Sequence, residues 1–399
     1  MERLRLIFLY IYLFSLSFEN WSPWGGGTDL FRPALIFAML YVIFSLFGLT
    51  RNFSLRYTKK FIYPSIALWL IITFSSILYS FKFPNAKFSL NYTLLACIVS
   101  FWLIYNDIYK EPKLIKTLVL IIIVNGIFLS LMSFFQIGID IGYMGRESLL
   151  GNNPNIIGLS AVISMLIIVA ILIDNPLGYS NKRFFLILFL PLLLQTIAKT
   201  GSKGALLLLM IGFLAYLLIM KKKFKFKFPL FFVGLIAFFF IYQYLLQNEV
   251  LSTRWNEFIE TGNTTGRSER WFFALQTFRN FPIIGVGENG LEHLPSPFIG
   301  SNEPHNVYLY VLATGGIVAF IPFIILLIRL TRSVFQNRNI WRTVLPVVIL
   351  IILLLHWFKA GGGLNSKLVW AYFAIISCNP IFNKNNIRNN EASNTLHKY

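Results

Sequence analysis

The chain has 399 residues, of which 56% are hydrophobic and only 13% charged, with 41 phenylalanines and a mean hydropathy of +0.67. These proportions exclude an ordinary soluble protein and indicate a polytopic membrane protein. The 35 Lys plus Arg against 16 Asp plus Glu give a net charge of +19; in a membrane protein the placement of that charge decides its meaning, and no nucleic-acid partner is expected.

A bilayer core of roughly 30 Å takes about 20 apolar residues per helix. Apolar runs lie near 4–18, 33–49, 61–80, 89–105, 117–138, 157–173, 184–198, 204–220, 229–245, 306–328, 343–358 and 368–382. They predict an all-α polytopic fold of about twelve transmembrane helices. The first run is followed directly by another and lacks a small-residue cleavage site, so it is read as a retained helix. The two cysteines, Cys97 and Cys378, fall inside apolar stretches, which points away from a disulfide framework or a cysteine metal site.

With the N-terminus placed inside, the connections "TRNFSLRYTKK", "NDIYKEPKLIK", "DNPLGYSNKR", "KKKFKFKF" and "RLTRSVFQNRNIWR" and the C-terminal tail share one side. That side collects about 23 of the 35 basic residues, the bias of cytoplasmic loops. Both termini are therefore predicted in the cytoplasm. The organisation that follows is spans one to nine over residues 1–245, a large outer loop over 246–305, spans ten to twelve over 306–382, and a polar, Asn-rich cytoplasmic tail over 383–399. The run "KKKFKFKF" reads as a topogenic and headgroup-binding cluster.

The outer connections hold the chemistry-bearing residues. "GYMGRESLLGNNPN" carries Arg146 before an Asn-Pro-Asn turn, and "AKTGSKGALLLL" carries Lys199 and Lys203 at the mouth of a span. A cation there runs against the inside bias and calls for an anionic partner, a headgroup or a substrate phosphate. In the long loop, "TTGRSERWFFALQTFRNFP" predicts an amphipathic helix with Trp271, Ala274, Leu275 and Phe278 at helical spacing and Pro282 as stop. Arg267 and Arg270 fall in its first turn, where free backbone N–H groups and two guanidinium forks suit a phosphate or diphosphate; ion pairs with Glu257, Glu260 or Glu269 are the alternative. "NFPIIGVGENG" then turns sharply, its Gly285, Gly287 and Gly290 supplying positive φ or close approach. Glu288 and Glu292 in it are salt-bridge partners in water or groups that act as acids or bases, with Glu288 a candidate for positioning substrate.

His305 in "SNEPHNVYLY" stands where the polar loop enters a span. An imidazole there can act as a general base toward a hydroxyl, hold a helix end, or ligate a metal. Asn306 beside it orients the ring or the substrate. His293 is the other histidine expected on this side, and no H-x-x-x-H or carboxylate cluster accompanies it, so metal is disfavoured.

Four stretches, "MGRESLLGNNPNIIG", "TGSKGALLLL", "GRSERWFFALQTFRNFPIIGVGENG" and "EPHNVYLYVLATGGIVAF", together resemble the O-antigen ligase and polymerase family of membrane glycosyltransferases. The resemblance implies a helical fold of the type-C glycosyltransferase class, a donor glycan on undecaprenyl diphosphate, and no metal or other cofactor. The implied acceptor is a lipid-linked repeat or the lipid A core, and the setting is the outer face of the cytoplasmic membrane, with a chain-length regulator as a further partner. It implies diphosphate binding by Arg146, Lys203 and Arg267 and acceptor activation by His305; Arg270 joins the diphosphate set by its place in the first turn of the loop helix. Position 203 departs from the family pattern, which places Arg after the Ser; lysine keeps the charge and loses the bidentate fork. Polymerase and ligase share these motifs, and the modest outer loop leans to polymerase. A lipid-linked sugar flippase is the rival of another class; carriers usually show internal repeats and charged midplane sites, and the predicted spans carry almost no midplane charge.

Overall fold

The computed structural model describes residues 1–22, 32–47, 53–82, 91–142, 145–220, 266–295, 302–337, 341, 343–359 and 364–378, with scattered positions between 228 and 259. The described chain is mostly helical, and six helical segments are long and apolar enough to cross a membrane: Leu55–Phe81, Tyr92–Lys110, Leu114–Phe134, Pro154–Ile173, Asn181–Lys199 and Val307–Asn337. Shorter apolar helices run over Pro33–Leu46, Lys203–Ile219, Leu345–Lys359 and Lys367–Ser377. The predicted ninth span, 229–245, lies largely outside the described residues.

In chain order the helices are α1 (Glu2–Ser15), α2 (Pro33–Leu46), α3 (Leu55–Lys82), α4 (Tyr92–Lys110) and α5 (Leu114–Phe134), then α6 (Pro154–Ile173), α7 (Leu190–Lys199) and α8 (Lys203–Ile219). The loop contributes α9 (Arg267–Asn280) and α10 (Gly287–His293), and the chain continues through α11 (Val307–Asn337), α12 (Leu345–Lys359) and α13 (Lys367–Ser377). One departure from an all-helical reading is a two-stranded antiparallel ribbon, β1 (Ile139–Ile141) with β2 (Glu147–Leu149), in register Ile139 to Leu149. Its β-branched residues and the glycines at 138, 142 and 145 suit a hairpin between two spans.

The core is one large apolar cluster, with α11 packed on α3 and α12, α13 on α4, and α6 between α5, α7 and α8. Where α6 meets α8 the contact is made by small residues: a Cβ on Gly158 would stand 2.8 Å from the Cβ of Ala205. Close backbone approach of this kind is how membrane helices gain packing energy without a hydrophobic drive. Among the described residues an ion pair is buried in the bundle. Arg5 Nη2 lies 3.1 Å from Asp107 Oδ1, and the Tyr41 hydroxyl donates to Asp107 Oδ2 at 2.6 Å. Each partner makes the burial of the other tolerable.

The loop is stitched into the bundle at a break in α11. Gly316 has φ 61 and ψ −163, which interrupts the helix. The groups freed there pair with the loop: Val286 N–H donates to Ala313 O (3.0 Å), Ile317 N–H to Pro282 O (2.9 Å) and Val318 N–H to Ile283 O (3.1 Å). A Cβ on Gly316 would meet Ile283 O at 2.2 Å, and one on Gly285 (φ 66) would meet Thr314 C at 2.5 Å. The two glycine motifs of the sequence are thus two halves of one contact.

Candidate functional site

The close approach of α6 and α8 brings their first turns together. Asn153 caps α6, its side chain accepting from Asn155 N–H at 2.9 Å, and Pro154 occupies the first helical position. The predicted Asn-Pro-Asn turn is therefore a helix start. Ser202 caps α8 by accepting from Ala205 N–H and donates its hydroxyl to Asn155 Oδ1 at 3.1 Å. Arg146, at the foot of β2, reaches this junction: Nε donates to Thr200 O (3.0 Å) and Nη2 to Asn155 Oδ1 (3.2 Å). Lys203 is the first residue of α8, beside Ser202.

The helix predicted in the loop begins at Arg267, after Gly266 in a left-handed conformation, so Arg267 and Arg270 do lie in its first turn. Its buried stripe is Ala274 and Thr277, with Trp271 and Phe278 half-buried, whereas Leu275 faces outward at 38% exposed. Leu275 sits at the edge of the arc defined by Trp271, Ala274 and Phe278, and the packing on α11 leaves it uncovered. Trp271 stacks edge-on against Phe358 of α12 with ring centroids 5.3 Å apart, and Phe358 also meets Tyr308 of α11. This aromatic seam ties the loop helix to both spans.

As a result, Arg267 lines a cleft with Asn155, Ser202, Leu208, His356 and Lys359. Through Asn155 the cleft connects to Arg146. Arg270 turns toward the segment before α11, its Nη1 donating to Glu303 O at 3.4 Å. The structure therefore gathers Arg146, Arg267 and the α8 start carrying Lys203 around one region. Lys199 has another role. Its ammonium pairs with Glu147 at 3.4 Å and donates to Ser133 O at 3.0 Å, so its anionic partner comes from the protein.

His305 adopts a left-handed backbone, φ 53, an uncommon state for a residue with a side chain and one that usually reflects local constraint. The constraint is Asn306. Its Oδ1 accepts from Tyr308 N–H (3.0 Å) and Leu309 N–H (3.1 Å), capping α11 and fixing the turn that projects the imidazole. Nδ1 of His305 is buried without a hydrogen-bond partner. Burial first, then the charges of Arg270 and Arg267, push the imidazole down to about 4. It is neutral at pH 7, the state a base requires.

A second cavity, of about 70 Å³, borders this segment through Glu303 and Val307. It is lined by Glu288, Glu292, Glu303, Val307, Tyr310 and Asn365. Glu288 is half-buried, accepts from Asn365 Nδ2 at 3.1 Å, and donates its backbone N–H to Ser76 Oγ at 3.0 Å. Burial chiefly raises its carboxyl pKa, and the Glu292 charge adds to that. Glu288 is thus no solvated surface acid. Among the described residues no group of three or more His, Cys, Asp or Glu could hold a metal ion.

Residues 186–324 match a family model described as O-antigen ligase. Over that stretch the chain is similar to the O-antigen ligase family. The match spans Lys203, Arg267, Arg270, Glu288, His305 and Asn306, and supports an O-antigen ligase- or polymerase-type enzyme in a membrane. No curated protein matches the chain. Two residues of the cleft, His356 and Lys359, lie outside the matched stretch and do not stand out in the sequence. The sequence points to His293 as the other outer histidine, yet it is His356 that shares a cleft with Arg267. The readable signal is a histidine in the last turn of the apolar run "LPVVILIILLLHWFK", where polar side chains are costly and usually functional.

Proposed function

We propose that the protein is a metal-independent glycosyltransferase of the type-C class, moving a glycan from undecaprenyl diphosphate to an acceptor sugar at the outer face of the cytoplasmic membrane. The observation that carries this reading is His305, neutral and with an unpartnered buried nitrogen, within electrostatic reach of Arg270 and Arg267, on a segment whose Glu303 and Val307 line an acidic cavity.

In this reading Arg146, Lys203, Arg267 and Arg270 hold the diphosphate. Their fixed charges stabilise the negative charge that develops on the leaving group, the role a metal ion plays in many other transferases. The acceptor hydroxyl approaches from the acidic side, where Glu288 accepts hydrogen bonds from the sugar. His305 removes the hydroxyl proton as its oxygen attacks the anomeric carbon and the lipid diphosphate departs. A single displacement of this kind inverts the anomeric configuration, whereas a retaining route needs a carboxylate nucleophile. Asn306 acts by holding the turn that aims His305.

We favour a polymerase, which extends a lipid-linked glycan; the family description favours the ligase reading, in which the finished chain goes to the lipid A core. Deleting the gene and separating the polysaccharide by gel electrophoresis distinguishes them. A core capped with one repeat indicates a lost polymerase, and a bare core a lost ligase. Normal long chains in both His305→Ala and Arg267→Ala cells, with protein present in the membrane, would sink the assignment and reopen the flippase alternative.

A further inference from the structure

We propose that His356 and Lys359, at the C-terminal end of α12, complete the donor site: they bind phosphate oxygens of the lipid diphosphate, His356 through its Nε2–H and Lys359 through its charge. The proposal rests on the reading of the donor as a lipid diphosphate.

His356 is 2% exposed, and its Nε2 is buried with no hydrogen-bond partner. A buried polar group left unpaired is costly, so such a group in a native fold calls for a partner that arrives from outside. His356 lines the cleft that Arg267 also lines. Lys359 follows three residues later, on the same helix face, and lines the cleft as well. Its ammonium is close enough to Arg267 for the two charges to repel. None of the described lining residues is acidic. Two facing cations beside a buried, unpaired imidazole form a site that an anion relieves.

The size of the cleft sharpens the assignment. It offers about 20 Å³ of accessible space, room for a water or one phosphate oxygen and too little for a sugar ring. A phosphate oxygen therefore fits where a sugar ring does not. The arrangement is also held rigidly. Phe358, between the two residues in sequence, is the ring that Trp271 packs against, and Trp271 lies one turn after Arg267. One aromatic contact thus joins the helix that carries Arg267 to the helix that carries His356 and Lys359.

The test measures binding of undecaprenyl diphosphate and undecaprenyl monophosphate, neither carrying a glycan, to the full-length protein in nanodiscs. The wild type should prefer the diphosphate at least about tenfold, and Arg267→Ala should remove most of that preference. His356→Phe keeps the ring and loses the donor; it should weaken diphosphate binding about tenfold with an unchanged thermal midpoint, since Nε2 makes no hydrogen bond to the protein. His356→Gln, which keeps an N–H donor, should restore most of the affinity, and Lys359→Gln should weaken it at least tenfold. A merely structural histidine would lower the midpoint and leave affinity alone. Unchanged affinity in Lys359→Gln and His356→Phe, with Arg267→Ala still impaired, overturns this inference and leaves the proposed function standing. If His356→Phe does not accumulate, Lys359→Gln decides alone. A wild type that does not distinguish the two lipids, and is insensitive to Arg267→Ala, overturns the proposed function itself.

Discussion

Replacing Gly316 by Ala tests whether the seam between the loop and α11 sets the geometry of the site. A Cβ there falls 2.2 Å from Ile283 O, against the 3.4 Å at which ordinary contact begins, and the obstructing atom is backbone with no rotamer to yield. Ile283 must move by about 1.2 Å or the helix break must close, and the backbone at φ 61, ψ −163, a conformation essentially confined to glycine, adds about 1–3 kcal/mol of strain for a residue with a side chain. The displaced segment follows directly on α9, a rigid rod of 14 residues, about 21 Å long, whose far end carries Arg267 and Arg270. A shift of about 1 Å at a reacting centre costs on the order of 100-fold in rate. Glycan transfer by purified Gly316→Ala should fall by about that factor, with a thermal midpoint lower by roughly 4 °C. Gly285→Ala should behave alike, because its Cβ meets Thr314 C at 2.5 Å. Gly142→Ala, whose nearest neighbour stands at 3.7 Å, serves as control and should be near wild type. Wild-type turnover in Gly316→Ala would refute the claim that this seam positions the arginines.

Three further outcomes are expected. For the free enzyme, burial and the two arginines hold His305 at about 4, so the acid limb of kcat/KM should lie near pH 4, below the ordinary imidazole value. Bound diphosphate offsets the arginine charges, so the acid limb of kcat should sit at higher pH; Arg270→Gln should move the kcat/KM limb upward, and an unmoved limb contradicts the assignment. Asp107→Ala strands Arg5 in the bundle and removes the acceptor of Tyr41, which should destabilise the protein by about 3–5 kcal/mol in thermal unfolding of the solubilised protein. Lys199→Met should lower stability by about 1 kcal/mol through loss of the Glu147 pair, while binding of undecaprenyl diphosphate stays unchanged; weakened lipid binding would return Lys199 to the donor site.

Much of the fold is legible in the sequence because membrane burial writes long apolar runs. Arg267, Arg270 and His305 stand out because a cation or an imidazole at a helix start or span mouth needs a partner. The α9 start is readable from the arginine pair before an aromatic-rich stripe, although Leu275 falls off that stripe because tertiary packing, and not spacing, sets the edge of a buried face. What the sequence hides are pairings between distant segments. Nothing local to "FPIIGVG" or "ATGGIVAF" says that each supplies the hydrogen bonds the other lacks. The Lys199 partner, Glu147, lies 52 positions away on a ribbon too short to show a strand period. His356 escapes notice because it sits inside a span, where only the approach of α9 turns it into part of a cleft. Arg5 stands at the start of the first apolar run and Asp107 just past the end of the fourth, and only helix packing makes them one buried pair.

The most direct test of the central claim uses purified protein, an undecaprenyl-diphosphate-linked oligosaccharide and its acceptor, in the presence of a metal chelator, with products followed by mass spectrometry and anomeric configuration by NMR. Release of undecaprenyl diphosphate should be coupled to glycan transfer with inversion, and both should be abolished in His305→Ala. Transfer at the wild-type rate by His305→Ala, or a product of retained configuration, would contradict the general-base role of His305 in a single displacement.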